Sequence, residues 1–367
     1  MHSYHPKSVP SVATTHHPAV ALLRGLIRFP SLSHEEGPVA DFVEEHVSAA
    51  GLPVTRHDNN VYFSLGAGDD VLLLNTHLDV VPASEGHPFD PFDPVVQDGE
   101  LFGRGSVDAK ASGAAMTTAV LELARAGWQP EGGRVLVALT TCEEGGGMYN
   151  GLQDLRPHLP PIRAGIVGEP TELQPCVAQK GLLILKLHAQ GTSSHAGRAH
   201  LGDNAISRAA RDIQRLDDLA LDRADPYLGT PSISVTTIEG GTARNVVPDQ
   251  CTLAVDIRTT PAYTHEEIID DITALVESEV EVFSNRFIPV ATDDEARIVQ
   301  AAQAARPDAA PFGSPTASDW IFLHDVPVVK LGPGISERSH TAEERIDIAE
   351  VEAAVDVYTS IIRHYFG

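Results

Sequence analysis

Val71-Leu72-Leu73-Leu74-Asn75-Thr76-His77-Leu78-Asp79-Val80-Val81-Pro82 is the stretch that decides the reading of this chain. Its apolar start reads as a buried strand. The strand runs straight into a His and an Asp two residues apart. Other residues of ligand type follow, each at the end of its own apolar run: Asp108, the pair Glu143-Glu144, Glu169 and finally His340. Strands that end in such residues and alternate with helices describe an open α/β sheet. Sites in sheets of this kind lie outside the carboxyl ends of the strands.

Working outward, Pro18 to Phe29 has apolar residues at helical spacing and stops at Pro30. Ser33 with Glu36 has the spacing of a capping box and predicts a second helix to about Ala50, closed by Gly51. Strands are expected near Val61–Leu65, Arg134–Thr140 and Ala164–Val167, with a helix over Ala109–Arg125. The pattern changes after Gln179. Leu182 to Ala189 alternates like a half-exposed strand. A helix over Asn204–Leu216, strands near Ser232–Thr237 and Cys251–Arg258, and a helix from Thr264 to about Glu279 complete a small α+β sandwich. The first pattern returns near Val290. The sequence thus predicts a mixed-sheet catalytic domain in two parts, residues 1–179 and 289–367, with an inserted domain over 180–288.

A length of 367 residues fits two domains. No run of 18 apolar residues is present, so no membrane span is expected. The polar, His-rich stretch to His17 lacks the apolar core of a secretory signal and reads as a frayed extension. His2, His5, His16 and His17 are minor candidates there for binding metal. Three scattered Cys define no disulfide framework or zinc finger, and the cytoplasm is the simplest compartment. The formal charge of −25 repels nucleic acid and anionic membrane. With Lys only at positions 7, 110, 180, 186 and 330, the acidic surface suits a salt-rich cytoplasm, where screening relieves self-repulsion.

His77, Asp108, Glu144, Glu169 and His340 together supply two imidazoles and three carboxylates. Two divalent cations about 4 Å apart need such a set, one carboxylate bridging them. The mix suits zinc, cobalt or manganese rather than calcium. Asp79 is placed to accept the other ring N–H of His77. Glu143 and Glu144 point opposite ways on an extended segment. One can bind metal while the other takes a proton from the attacking water.

These residues resemble the M20 family of metallopeptidases and deacylases. The matching stretches are Thr76 to Pro82, Gly103-Arg104-Gly105-Ser106-Val107-Asp108, Glu143-Glu144-Gly145, Gly168-Glu169-Pro170-Thr171 and Ser339-His340-Thr341. They occur in the family's order from about Pro18 to the C-terminus. The resemblance implies that Asp108 bridges two metal ions, zinc first and cobalt second. It places His77 and Glu169 on one ion and Glu144 and His340 on the other. It makes Glu143 the general base and acid and Asp79 the residue that orients His77. It also implies a cis peptide at Asp108-Ala109. Ser193-Ser194-His195-Ala196-Gly197 resembles the family's second-domain motif, whose His reaches a partner subunit's site and stabilises the oxyanion. Homodimerisation through the inserted lid domain follows from the same resemblance. Arg244, Asn245 and Arg258 resemble residues that contact the substrate carboxylate. Gly332 and Gly334 shape the backbone near the substrate, since Gly allows close approach. The stretches 313–320, 330–334 and 337–341 resemble the acetylornithine deacetylase branch. The substrate they imply is N2-acetyl-L-ornithine, in arginine biosynthesis. Acetylcitrulline, succinyl-ornithine, succinyl-diaminopimelate, carrier-bound lysine and dipeptides stay open as alternatives.

Overall fold

In the computed structural model, which describes residues 17–145 and 147–367, the opening stretch lies inside a nine-stranded sheet. Two helices precede it. Helix α1 (Pro18–Ile27) starts at a proline, which fits a first turn whose N–H groups lack helical partners. It buries Leu22, Leu23, Leu26 and Ile27 and ends two residues before the expected Phe29. His17 caps it, Nδ1 accepting from the Ala19 N–H at 3.3 Å. His2, His5 and His16 lie outside the described residues.

Helix α2 (Gly37–Ala49) departs from expectation at its start. Glu36 holds the N-cap position without a side-chain capping bond, so Ser33 and Glu36 form no capping box. The Ser33 hydroxyl donates to Asp79 Oδ2 at 2.7 Å instead. Glu36 Oε1 accepts from the N–H of His34 at 3.0 Å and of Cys142 at 3.1 Å. Loops at the sheet edge thus take the two side chains that local spacing assigned to the helix.

The first part of the large sheet contains β1 (Val54–His57), β2 (Asn60–Gly66) and β3 (Asp70–His77). A short ribbon, β4 (Val95–Gln97) and β5 (Glu100–Phe102), leads to α3 (Lys110–Arg125). Then come β6 (Gly133–Thr140), α4 (Gly151–Leu155), β7 (Ala164–Val167) and β8 (Cys176–Gln179). Strand β3 runs parallel to β6 on one side and β7 on the other. Every residue from Val71 to His77 is buried, which explains an apolar run without alternation. The Ala-, Ser- and Thr-rich α3 is buried all round from Lys110 to Leu121.

From Gly181 the period becomes two. The segment comprises β9 (Gly181–Gln190), β10 (Ser194–His195), α5 (Ala205–Asp217), β11 (Ser232–Gly240), β12 (Val246–Val247), β13 (Gln250–Thr259), α6 (His265–Leu275) and β14 (Glu279–Phe287). Strands β11-β13-β9-β14 form an antiparallel sheet. Leu183, Leu185, Leu187, Leu253, Val255 and Ile257 pack against α5 and α6 in a separate core. Helix α6 carries the capping box of Thr264 and Glu267 but ends at Leu275, not near Glu279. Glu279-Val280-Glu281-Val282 joins β9 as an outer strand that the sequence reading missed. Its acidic side chains remain in water, as an edge strand allows.

The chain then returns through β15 (Val290–Ala291), α7 (Arg297–Ala305), β16 (Phe312–Ser314), β17 (Val328–Lys330), β18 (Arg345–Asp347) and α8 (Ile348–Phe366). The large sheet has the order β1-β2-β6-β3-β7-β17-β8-β15, with β16 on β8. Because β3, β6, β7 and β17 are mutually parallel, their carboxyl ends open on one edge. No described helix is long and apolar enough to cross a membrane.

Candidate metal centre

That edge carries the ligand-type residues. His77 is the last residue of β3, Glu143-Glu144 follow β6, Glu169 follows β7, and His340 lies in the segment after β17. Asp108 ends the turn before α3, and the Asp108-Ala109 peptide is cis, as the resemblance implied.

Asp108 faces two imidazoles with its two oxygens. Oδ1 lies 3.2 Å from His77 Nε2, and Oδ2 lies 3.2 Å from His340 Nε2. Each imidazole has a second carboxylate. Glu169 Oε1 is 3.9 Å from His77 Nε2, and Glu144 Oε1 is 2.8 Å from His340 Nε2. The five side chains therefore form two half-sites that share Asp108. His77, Asp108 and Glu144 also bring one ligand atom each within 4.8 Å of one another.

Asp79 is fully buried. Its carboxylate accepts the N–H groups of Glu143 and Glu144, both at 3.1 Å, and the Ser33 hydroxyl. The nearest oxygen to His77 Nδ1 is the Asp79 carbonyl at 2.9 Å, with the carboxylate at 3.5 Å. Asp79 thus fixes His77 and the Glu143-Glu144 turn together. Glu144 turns to His340. Among the described residues, the Glu143 carboxylate takes no hydrogen bond. It lines a crevice with Asn150, Asp319 and Arg286.

The electrostatics follow from burial. Burial, followed by the charge of Glu169, pushes Glu143 well above the usual carboxylate range despite the opposing His77. Burial, then Asp108, raises Glu169 to about 8. Burial also disfavours an ionised Asp108, yet hydrogen bonds from His340 and His77 hold it below the usual range. Contacts with Asp108 and Glu144 push His340 up to about 10. His77 is raised as well, Asp108 and Asp79 outweighing its burial. Glu143, Glu169, His77 and His340 all hold their protons more tightly than usual, whereas Asp108 is kept ionised by its two imidazoles.

Divalent cations fit this donor set. Glu169 Oε1 is buried with no hydrogen-bond partner among the described residues, a costly state for a carboxylate without a cation. Imidazole and carboxylate donors without thiolate suit zinc, cobalt or manganese. Cys142 is nearby, but its thiol is directed to Glu36 Oε1 at 3.2 Å, and burial pushes it up to about 12. A second His and Asp group, His57, Asp58 and Asp154, lies where the β1–β2 turn meets α4. Its His57–Asp154 pair at 2.9 Å is partly exposed and already satisfied.

The residues of the inserted segment are not brought to this cluster. His195 is exposed on the β10–β12 ribbon, paired with Val246, and its Nδ1 accepts from the Gly197 N–H at 3.0 Å. Arg244 and Asn245 are exposed beside it. Arg258 is engaged by Asp256 at 2.8 Å. Gly332 and Gly334 do lie near the centre. A Cβ on Gly332 would stand 2.6 Å from the Glu169 carbonyl, and Gly334 has φ +103°.

Several residues escaped the sequence reading. Asp319, buried beside Glu143, accepts from Asn150 Nδ2 at 2.7 Å and Thr140 Oγ1 at 3.3 Å. Arg286 of β14 donates to the Gly147 carbonyl in the turn after Glu144. Glu344 binds Arg104 and the backbone of the Asp108 turn. Asp319 and Arg104 stood inside motif stretches, whereas Glu344 and Arg286 had no local signal.

An open sheet with a carboxylate–imidazole cluster on its carboxyl edge defines the metallohydrolase class. Residues 73–364 match the model of Peptidase family M20/M25/M40, and the chain belongs to that family. The succinyl-diaminopimelate desuccinylase of Parvibaculum lavamentivorans is 29% identical, covering 93% of this chain and 94% of that enzyme. The enzyme of the same name from Dinoroseobacter shibae is 30% identical, covering 95% and 99%. Among solved structures, aminopeptidase PepT from Bacillus cereus superposes with a TM-score of 0.78 at 21% identity, covering 95% and 98%. The Bacillus subtilis YXEP protein, a dinuclear metal binding peptidase of family M20, superposes with a TM-score of 0.72 at 16% identity, covering 94% and 97%.

Proposed function

We propose that this metallohydrolase removes the acyl group from an N-acyl-L-amino acid, with two divalent cations held by His77, Asp108 and Glu169 and by Asp108, Glu144 and His340. The observation that carries the reading is the division of Asp108 between two imidazoles, each with its own carboxylate. Bound there, two such cations, zinc first and cobalt second, would supply Lewis acidity for the scissile carbonyl and the attacking water. Glu143 accepts the proton from that water and delivers it to the leaving amine. Its unbonded carboxylate and raised pKa support the role. Asp79 orients His77 and the Glu143 turn.

Residues 180–288 act in this proposal as lid and dimerisation unit, and 1–179 with 289–367 as the catalytic unit. Exposed Ile238 on β11 and Val282 and Phe283 on β14 support pairing through this segment. His195 then stabilises the oxyanion in the partner's site. Its exposure, free of the cluster in its own chain, is consistent with a role across subunits. Arg244, Asn245, Arg258, Gly332 and Gly334 form the substrate surroundings. Three buried, unpaired cysteines support a reducing cytoplasm.

N2-acetyl-L-ornithine is the substrate favoured by the motif stretches, and relatives named succinyl-diaminopimelate desuccinylase support testing succinyl-diaminopimelate beside it. A peptidase reading is the second, favoured by the peptidases among the solved neighbours. A panel of both acyl amino acids and of di- and tripeptides, run with zinc- and cobalt-reconstituted enzyme, separates them. Preference for peptides overturns the deacylase reading. Glu143→Gln is expected to lower kcat by at least about 100-fold while two ions stay bound. Wild-type turnover in that variant removes Glu143 as the base. An active monomer in sedimentation contradicts the dimer and the role of His195 across it.

A further inference from the structure

We propose that the buried Arg104–Glu344 pair is a positioning clamp that joins the Asp108 turn to the His340 loop and sets the affinity of the half-site holding His340 and Glu144. The inference rests on the metal-centre reading above and goes beyond it by separating the two half-sites.

The two halves are held by different means. His77 is 1% exposed and ends a strand with parallel partners on both sides. Glu169 follows β7 after Gly168, whose N–H is tied to the Asn75 carbonyl of β3 at 2.7 Å. The sheet itself fixes these ligands. His340 has no such support. It is a non-glycine residue at φ +65° in a loop, and 49% of its side chain is exposed. Glu144 sits on the turn whose amides Asp79 holds.

Asp108 and His340 are 232 positions apart, and the clamp is what connects them. Arg104 and Glu344 are each 1% exposed at the side chain and form an ion pair. The other Glu344 oxygen accepts the N–H of Val107 at 3.0 Å and of Asp108 at 3.2 Å. The Glu344 carbonyl accepts the Gly103 N–H at 3.2 Å, and Arg104 Nη2 reaches the His340 carbonyl at 3.5 Å. Every one of these contacts links the 103–108 turn to the 340–344 loop. A buried pair is weak evidence of stabilisation by itself, because desolvation offsets attraction. Here both charges also bind backbone, and that backbone carries Asp108 and His340.

Without the clamp, Asp108 and His340 lose their common reference. The sheet-held half keeps His77 and Glu169 and has one ligand that depends on the clamp, Asp108, whose Oδ1 is still met by His77 Nε2 at 3.2 Å. The other half has two, Asp108 and His340, so the larger loss falls on the other ion. Supporting contacts behind metal ligands commonly change affinity by about 10–100-fold.

The test is a zinc titration of stripped protein under a buffered free-metal series, with bound zinc counted and thermal unfolding followed. Wild type is expected to take up two equivalents. Glu344→Gln puts an amide N–H₂ against either Arg104 or the backbone N–H groups. It is expected to weaken the second equivalent by at least about 10-fold and leave the first within about 3-fold. Arg104→Lys keeps the charge but loses the fork and is expected to fall between. Its milder change also serves if Glu344→Gln does not fold. Asp212→Asn, which disturbs a buried network in the inserted segment, controls for general destabilisation and is expected to bind two equivalents normally. Unchanged zinc binding in folded clamp variants overturns the clamp, as does equal weakening of both equivalents. A wild-type protein that binds fewer than two ions fails the metal-centre reading instead.

Discussion

At the scale of single residues, Asp108, Asp79 and Asp319 do three different jobs with the same carboxylate. Asp108 is divided between two imidazoles. Asp79 spends its oxygens on a hydroxyl and two backbone N–H groups, which organises a turn. Asp319 is raised to about 6 by burial, and its charge is one of the causes that raise Glu143. The sign of a test follows from like-charge repulsion. Asp319→Asn removes a negative neighbour, so Glu143 ionises more readily and the acid limb of kcat/KM moves to lower pH. Activity at the optimum is expected to stay within about 10-fold of wild type. A limb that does not move, or moves upward, shows that Asp319 does not act on Glu143. Of the candidate ligands, His77, Glu144 and Glu169 were legible because each stands at or just past the end of a buried strand, whereas Asp108 and His340, in a turn and a loop, were legible only through the motif stretches around them. Asp319 was not, because its influence runs through space from the 3-10 helix Asp319–Leu323.

At the scale of elements, close approach of backbone decides more than propensity does. The loop after β17 passes under Glu169, and Gly332 is the residue that lets it. An added Cβ would lie 2.2 Å from Ser112 Oγ as well as 2.6 Å from the Glu169 carbonyl. Gly332→Ala is therefore expected to cost about 1–3 kcal/mol, read as a lower urea midpoint, and to lower activity by moving Glu169. A variant with wild-type midpoint and activity contradicts that packing. The sequence located most helices and strands because β9 alternates strictly, β3 is a short continuous apolar run, and α3 is a long run rich in helix formers. It failed at Ser33 and at β14 for physical reasons. The Ser33 hydroxyl donates to a buried carboxylate, a charge-assisted bond, instead of accepting from an N–H of the helix terminus. Strand β14 alternates correctly, but it becomes a strand only because the edge of β9 is free to receive it.

At the scale of the whole molecule, charge is the dominant property. A formal charge of −25 opposes compaction. Raising NaCl from about 0.1 M to about 1 M shortens the screening length from about 10 Å to about 3 Å. The urea midpoint is expected to rise across that range. A flat or falling midpoint means that local ion pairs, such as Arg56–Asp41 and Arg297–Asp70, outweigh the self-repulsion. The interruption of the large sheet by a second, four-stranded sheet was visible as a change from continuous apolar runs to strict alternation. How that segment meets its surroundings, as in the contact of Arg286 with the Gly147 carbonyl, was not.

The sequence by itself determined the periods of the strands and helices, the ligand types and their order along the chain. Those depend on neighbours a few residues apart, and so they survive in one dimension. Tertiary structure alone decided which oxygen of Asp108 meets which imidazole, that Glu144 turns to His340 while Glu143 stays unbonded, and that Arg104 finds Glu344. These outcomes depend on distances of a few ångströms between residues as many as 240 positions apart. Such distances exist only once parallel strands have brought their carboxyl ends to one edge.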